Sequence, residues 1–136
     1  MTMPNFLIIG AMKSGTTALY HYLRQHPQIY MSPKKEPRFF ALEAERLYLA
    51  GLDNQKPLQT LSSVADIDAY RALFEGVSKE VAIGEASHWY LYSPRLRESE
   101  QHYIPEVIEH YIPDVKLIAV LRNPAERFYS SVTGGG

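Results

Sequence analysis

The chain has 136 residues, a net charge of -1 and no cysteine. That length suits one small domain with a real core, and the balanced charge gives no global attraction to nucleic acid or to an acidic membrane surface. Without cysteine, disulfides, thiolate catalysis and thiolate-held metals are excluded. With no leader-like N-terminus and no apolar run of membrane-spanning length, the expected setting is reducing and cytoplasmic.

The chain is organised around Phe6 to Tyr22, FLIIGAMKSGTTALYHY. The uninterrupted apolar run Phe6 to Ile9 suits a strand buried on both faces of a parallel sheet, starting near Asn5. Gly10 and Gly15 relax the backbone on either side of Lys13, so that successive N–H groups can turn toward one ligand oxygen. Ser14, Thr16 and Thr17 add hydroxyl donors. A helix is expected to start there, with Ala18, Leu19, Tyr22 and Leu23 as its apolar face, and its unpaired N–H groups and positive dipole end would meet the same point. The pattern predicts strand, anion-binding loop, helix, with phosphate as the usual anion; a strand-to-helix turn with an incidental lysine is the simpler alternative. Lys13 precedes Gly15, whereas the GxxxxGK[ST] loop of ATPases and GTPases places its lysine after the second glycine. GAMKSGTT instead resembles the 5'-phosphosulfate loop of sulfotransferases that use 3'-phosphoadenosine-5'-phosphosulfate (PAPS).

Downstream, Pro27, Pro33 and Pro37 keep His26 to Glu43 from forming one helix, leaving an extended segment with a short strand at Ile29 and Tyr30. Read by itself, KEPRFF is a solvated charged loop anchored by Phe39 and Phe40. It also resembles the KExxFF segment of the sulfotransferase branch that includes heparan sulfate sulfotransferases and bacterial relatives. That resemblance makes Glu36 the candidate base for the acceptor proton, with Lys34, Lys35 and Arg38 favouring its ionised form. A short helix follows from Ala41 to Leu52, then a polar connection from Asp53 to Ser63. A further helix runs from an Asp66 cap to about Phe74.

Val81 to Gly84 is the next strand, with polar groups at its carboxyl end, where ligands bind in open α/β sheets. GEAS resembles the family's GEKSP segment, making Glu85 and Ser87 candidate substrate contacts, although Ala86 and His88 stand where the family commonly has lysine and proline. Small-molecule sulfotransferases carry a histidine base after a comparable strand, so His88 is the alternative to Glu36. His21, His26, His102 and His110 have no metal-ligand spacing and are assigned to surface or helix positions, and no metal site is expected.

Ser93 and Pro94 read as a helix start, with helical character broken at Pro105 and ending at Tyr111. After a turn at Pro113 and Asp114, Val115 to Leu121 is an apolar strand expected to be central. LRNPAERFYSS then places Arg122 at the strand's carboxyl edge and Ser130 about two helical turns further on. This string resembles the RxPxxRxxS segment of sulfotransferases, which implies that Arg122 and Ser130 hold the 3'-phosphate. Arg127 has a lesser role.

The expected fold is α/β, a three-layer P-loop-like arrangement with a largely parallel sheet that continues beyond Gly136. Residues 1–133 would form the N-terminal part of a sulfotransferase domain, with 134–136 a glycine tail or linker. The resemblance implies sulfuryl transfer from PAPS, without a metal, to a hydroxyl or amine of a carbohydrate or small molecule. It implies donor contacts from Lys13, Ser14, Gly15, Thr16, Thr17, Arg122 and Ser130, and catalysis by Lys13 with Glu36 or His88. A non-catalytic nucleotide-binding module or inactive fragment remains an alternative. So does a P-loop kinase or NTPase, although no apolar strand ends in a convincing Mg²⁺-binding aspartate. The tyrosines suit stacking on sugars and core packing equally.

Overall fold

A computed structural model describes residues 2–12, 14–51 and 66–123. Lys13, the connection 52–65 and residues 124–136, which include Arg127, Ser130 and the glycine tail, lie outside the described residues.

Four strands, β1 (Phe6–Gly10), β2 (Ile29–Met31), β3 (Ala82–Ala86) and β4 (Lys116–Ala119), form one sheet in the order β2-β3-β1-β4. Every pairing is parallel, with Phe6 opposite both Gly84 and Lys116, and Met31 also opposite Gly84. Alternation along β1 explains why its apolar run is continuous. Phe6 and Ile8 join Tyr20, Met31 and Ala86 in one buried cluster, on the side of helix α1 (Thr16–Arg24). Leu7 joins Phe39, Phe40, Tyr70, Tyr90, Ile104 and Ile108 in the larger cluster, built with helices α2 (Phe39–Gly51), α3 (Ile67–Ala72) and α4 (Tyr103–Tyr111). A sheet covered on both faces needs apolar residues at successive positions, and the result is the expected three-layer α/β arrangement.

The connections leave β1 and β3 in opposite directions along the sheet: β1 passes through α1 to β2, while β3 passes through α4 to β4. The crevice between the carboxyl ends of β1 and β3 is therefore a topological switch point, where open α/β sheets bind ligands. It is tied by backbone bonds from Ser87 N–H to Ile8 O (3.0 Å) and from Leu91 N–H to Ile9 O (2.9 Å).

Several local expectations shift. Helix α1 turns Tyr20 inward, with its hydroxyl donating to Ser32 O at 2.5 Å, while Tyr22 is 74% exposed and Ala18 is also exposed. The inward stripe is Leu19, Tyr20 and Leu23, because the sheet lies on a side of the helix that apolar spacing alone did not fix. Strand β3 starts one residue late, leaving Val81 exposed, and runs on through Ala86. Ser93 does not begin a helix. Its hydroxyl accepts Arg95 N–H in a local turn, a short 3₁₀ segment follows at Glu98–Glu100, and α4 begins only at Tyr103. Pro105 lies in the first turn of α4, where its missing N–H costs nothing, and so does not break the helix. Strand β4 is not central among the described residues. It pairs with β1 alone, and all four of its residues are exposed. Asp66 does cap α3, its carboxylate accepting Asp68 N–H at 3.3 Å.

Gly84 makes the closest approach in the sheet. A Cβ placed there would lie 2.3 Å from Phe6 Cζ, because the Phe6 ring lies across its cross-strand partner. Gly84→Ala should destabilise the domain by about 1–3 kcal/mol through overpacking, lowering the urea midpoint with little change in slope.

Candidate active site

The carboxyl ends of the parallel strands bring four separated stretches together. After β1, Gly10 leads into the loop, and Gly15, at φ 87°, stands as the residue before α1 without a side chain to cap it. The N-terminal end of an α-helix presents N–H groups without intrahelical partners and a positive dipole. A Cβ at Gly15 would meet nothing within 4 Å, so the backbone there is open to approach. Ser14 is buried and its hydroxyl reaches Met12 O at 3.5 Å, whereas Thr17 is exposed and Thr16 half-buried. After β4, paired backbone bonds join Ala11 N–H to Val120 O (2.9 Å) and Val120 N–H to Gly10 O (2.7 Å). They set the segment bearing the exposed Arg122 directly beside the loop.

After β2, residues 32–38 fold back against the end of β3. Ser32 N–H donates to Gly84 O (2.9 Å), and the Ser32 hydroxyl accepts Lys34 N–H (3.2 Å). Glu36 and Arg38 both sit in the left-handed region, at φ 53° and 60°, conformations that cost a non-glycine residue about 1–2 kcal/mol. Alternating bonds to the 86–90 segment hold them there. Glu36 N–H donates to Ala86 O (3.2 Å), Arg38 N–H to Ser87 Oγ (3.0 Å) and Phe40 N–H to Tyr90 Oη (3.5 Å). The Arg38 guanidinium stacks 4.1 Å from the Trp89 ring centroid, and its Nε lies 3.7 Å from Glu36 Oε2.

This folding presents the Glu36 carboxylate to the start of α1. A small cavity of about 50 Å³ is lined by Thr16, Thr17, Tyr20, Lys35, Glu36 and Ala86. The two candidate bases also meet: His88 Nδ1 lies 3.0 Å from Glu36 Oε1, and His88 N–H donates to Glu36 Oε2 at 3.0 Å. Chemically, the arrangement offers an anion cradle at a helix N-terminus facing an acidic side chain that could accept a proton.

Glu85 and Ser87 lie beneath this surface, at 0% and 1% exposure. The Glu85 carboxylate accepts hydrogen bonds from Tyr70 (2.7 Å), Tyr90 (2.6 Å) and Ser87 (2.7 Å). Enclosed in this way, the two side chains touch protein, and through Ser87 they brace the backbone of Arg38. Burial pushes the Glu85 carboxyl up to about 7, against the lowering effect of its three hydroxyl donors. The same burial, with Glu85 alongside, raises the Tyr70 and Tyr90 hydroxyls well above their ordinary value. Sequence reasoning missed Tyr70, Tyr90 and Arg38 as parts of this support. The available signal was a lone carboxylate within a buried strand, which requires partners that sequence distance conceals. Among the described residues, no group of three His, Cys, Asp or Glu side chains could hold a metal ion.

Glu85 makes stability depend on pH. Unfolded, the carboxyl titrates near 4.5, and folded at about 7, so between these values the native state keeps a proton that the unfolded chain has lost. Stability therefore falls as pH rises through this window, by about 3 kcal/mol in all. Urea midpoints at about pH 5 and about pH 8 should show that fall in the parent chain, and Glu85→Gln should flatten it.

The sequence model described as "Sulfotransferase family" matches residues 4–134. Carbohydrate sulfotransferase 15 of Mus musculus is 32% identical over 148 aligned positions, covering 94% of this chain and 26% of that protein. The membrane-associated sulfotransferase kil1 of Dictyostelium discoideum is 33% identical, covering 96% of this chain and 22% of its own length. A crystal structure of a sulfotransferase from Alicyclobacillus acidocaldarius superposes with a TM-score of 0.77 at 36% identity, covering 98% of this chain and 50% of that one. The chain thus spans about a quarter of the length of these curated relatives and half that of the solved structure. With the family match extending over nearly every residue and the same fold in a solved member, the chain belongs to the sulfotransferase family.

Proposed function

We propose that this chain carries the donor-binding and proton-accepting part of a site that moves the sulfuryl group from PAPS to a hydroxyl or amine. A carbohydrate is the favoured acceptor class, in keeping with the name of the carbohydrate sulfotransferase relative. The observation that carries this reading is the cavity in which the uncapped start of α1 faces the Glu36 carboxylate.

The donor, when bound, supplies a sulfuryl group on a phosphate leaving group. The loop fits such an anion: Gly15 leaves the backbone open and supplies no side-chain cap to the helix that follows. In this reading Ser14, Thr16 and Thr17 with the adjoining N–H groups bind the 5'-phosphate, and Lys13 stabilises the charge that develops there as the sulfur–oxygen bond breaks. Arg122, set beside the loop by the Val120 backbone pair, binds the 3'-phosphate with Ser130, its planar fork suiting phosphate oxygens. Glu36 takes the acceptor proton as the acceptor oxygen or nitrogen bonds to sulfur and the bridging electron pair departs on phosphate. Proximity and the positive helix end do most of the work. Glu85 and Ser87 support Glu36 from below through the backbone of Arg38.

Titration calorimetry with adenosine 3',5'-bisphosphate, run beside Mg·ATP, tests the donor site. Metal-independent preference for the bisphosphate is expected, weakened about tenfold or more by Lys13→Ala and by Arg122→Ala. Preference for Mg·ATP would overturn the assignment. Glu36→Gln should leave bisphosphate affinity unchanged and lower turnover about 10²- to 10⁴-fold.

A further inference from the structure

Glu36 and His88 entered as rival bases, yet the fold joins them. Both contacts run from one residue to one carboxylate. The His88 ring meets Oε1 through Nδ1, and the His88 main-chain N–H meets Oε2, each at 3.0 Å. An ionised carboxylate can only accept hydrogen bonds, so the ring nitrogen facing it must be the one that carries the proton. In the neutral form of the ring this tautomer leaves Nε2 without a proton.

The two side chains are also ordered with respect to the cavity. Glu36 lines it together with Thr16, Thr17 and Lys35, whereas His88 does not. Each Glu36 oxygen retains a second lone pair after the His88 bonds are made, so the carboxylate remains able to take a proton. His88 is itself held in place, since it follows Ser87, whose hydroxyl is bonded to Glu85, and precedes Trp89, whose ring lies under Arg38.

We infer that His88 is a positioning residue for Glu36, a two-point clamp that fixes the carboxylate through Nδ1–H and the main-chain N–H, and is not itself the base. This rests on the proposed role of Glu36 as proton acceptor. The clamp restrains a side chain with three rotatable bonds, whose backbone is already in the left-handed region, and so favours the reactive geometry before the acceptor arrives.

Two measurements on the chain test the clamp, one of them independent of activity. Long-range ¹H–¹⁵N spectra of ¹⁵N-histidine-labelled protein should show His88, identified by its disappearance in His88→Asn, with the proton on Nδ1. In Glu36→Ala that preference should be lost. A parent chain with the proton on Nε2 would overturn the inference.

In sulfuryl-transfer assays, Asn can place its Nδ2–H where Nδ1–H stood, whereas Gln reaches toward the position of Nε2. His88→Asn should keep kcat within about threefold of the parent, and His88→Ala should lower it by about 10- to 100-fold at unchanged donor KM. Equal loss of kcat in His88→Asn, His88→Gln and His88→Ala would make His88 the base, since neither amide can take a proton, and overturn the clamp, as would full activity in His88→Ala. Absence of both turnover and bisphosphate binding in the parent would count against the sulfuryl-transfer reading alone, with the tautomer still deciding whether the clamp exists.

Discussion

A carboxyl with no exposed surface is tolerated only where the protein supplies hydrogen-bond partners, and three hydroxyls donate to Glu85. Tyr70 comes from α3, Ser87 and Tyr90 from the segment after β3, so one side chain ties a helix, a strand end and a turn. Leaving a buried polar group without a partner typically costs about 1–3 kcal/mol. The local arrangement of the candidate site follows from this anchor. Ser87 is oriented by Glu85, the N–H of Arg38 is held by Ser87, and the strained Glu36–Pro37–Arg38 turn is thereby kept against the end of β3.

The sheet supplies the second constraint. Among the described residues the four strands run parallel, so their carboxyl ends share one edge, and the segments following β1, β2, β3 and β4 emerge there together. Reversed connections from β1 and β3 open a crevice between those ends. Into that crevice the chain puts an uncapped helix start from one side and an acidic side chain from the other. The positive end of the helix attracts both an anion and the facing carboxylate. The start of α1 and Glu36, far apart in sequence, line one small cavity.

The contrast between α1 and α4 shows what local patterning can miss. In α1 the residues Ala18, Leu19, Tyr22 and Leu23 satisfy helical periodicity, but Tyr20 is the aromatic that the sheet buries, because an aromatic can lie on either flank of a narrow apolar stripe. In α4, Pro105 reads as a break from composition alone. Its position in the first helical turn makes it an ordinary starting residue, since the preceding turn at Ser93 had absorbed the expected helix start. Strand β4 was legible as a strand from VKLIAVL, but its place at the edge of the described sheet depended on which neighbours pair with it, and that information is not in its own residues.

By itself the sequence determined most of the element types and the order in which they occur. An unbroken apolar run followed by small, hydroxyl-rich residues and glycine ends a buried strand in a turn into a helix, and the Asp66 cap and Gly10–Gly15 spacing are local signals. The short blocks around Lys13, Glu36, Glu85 and Arg122 were likewise readable because each is contiguous. Only the tertiary structure decided how they act together. It turned Glu85 and Ser87 inward as supports, made His88 a partner of Glu36 where sequence offered a choice between them, and set the segment carrying Arg122 beside the loop. Those outcomes depend on contacts between stretches far apart in the chain, fixed by sheet order and burial, and no local pattern of residue types encodes which distant donor a buried carboxylate will find.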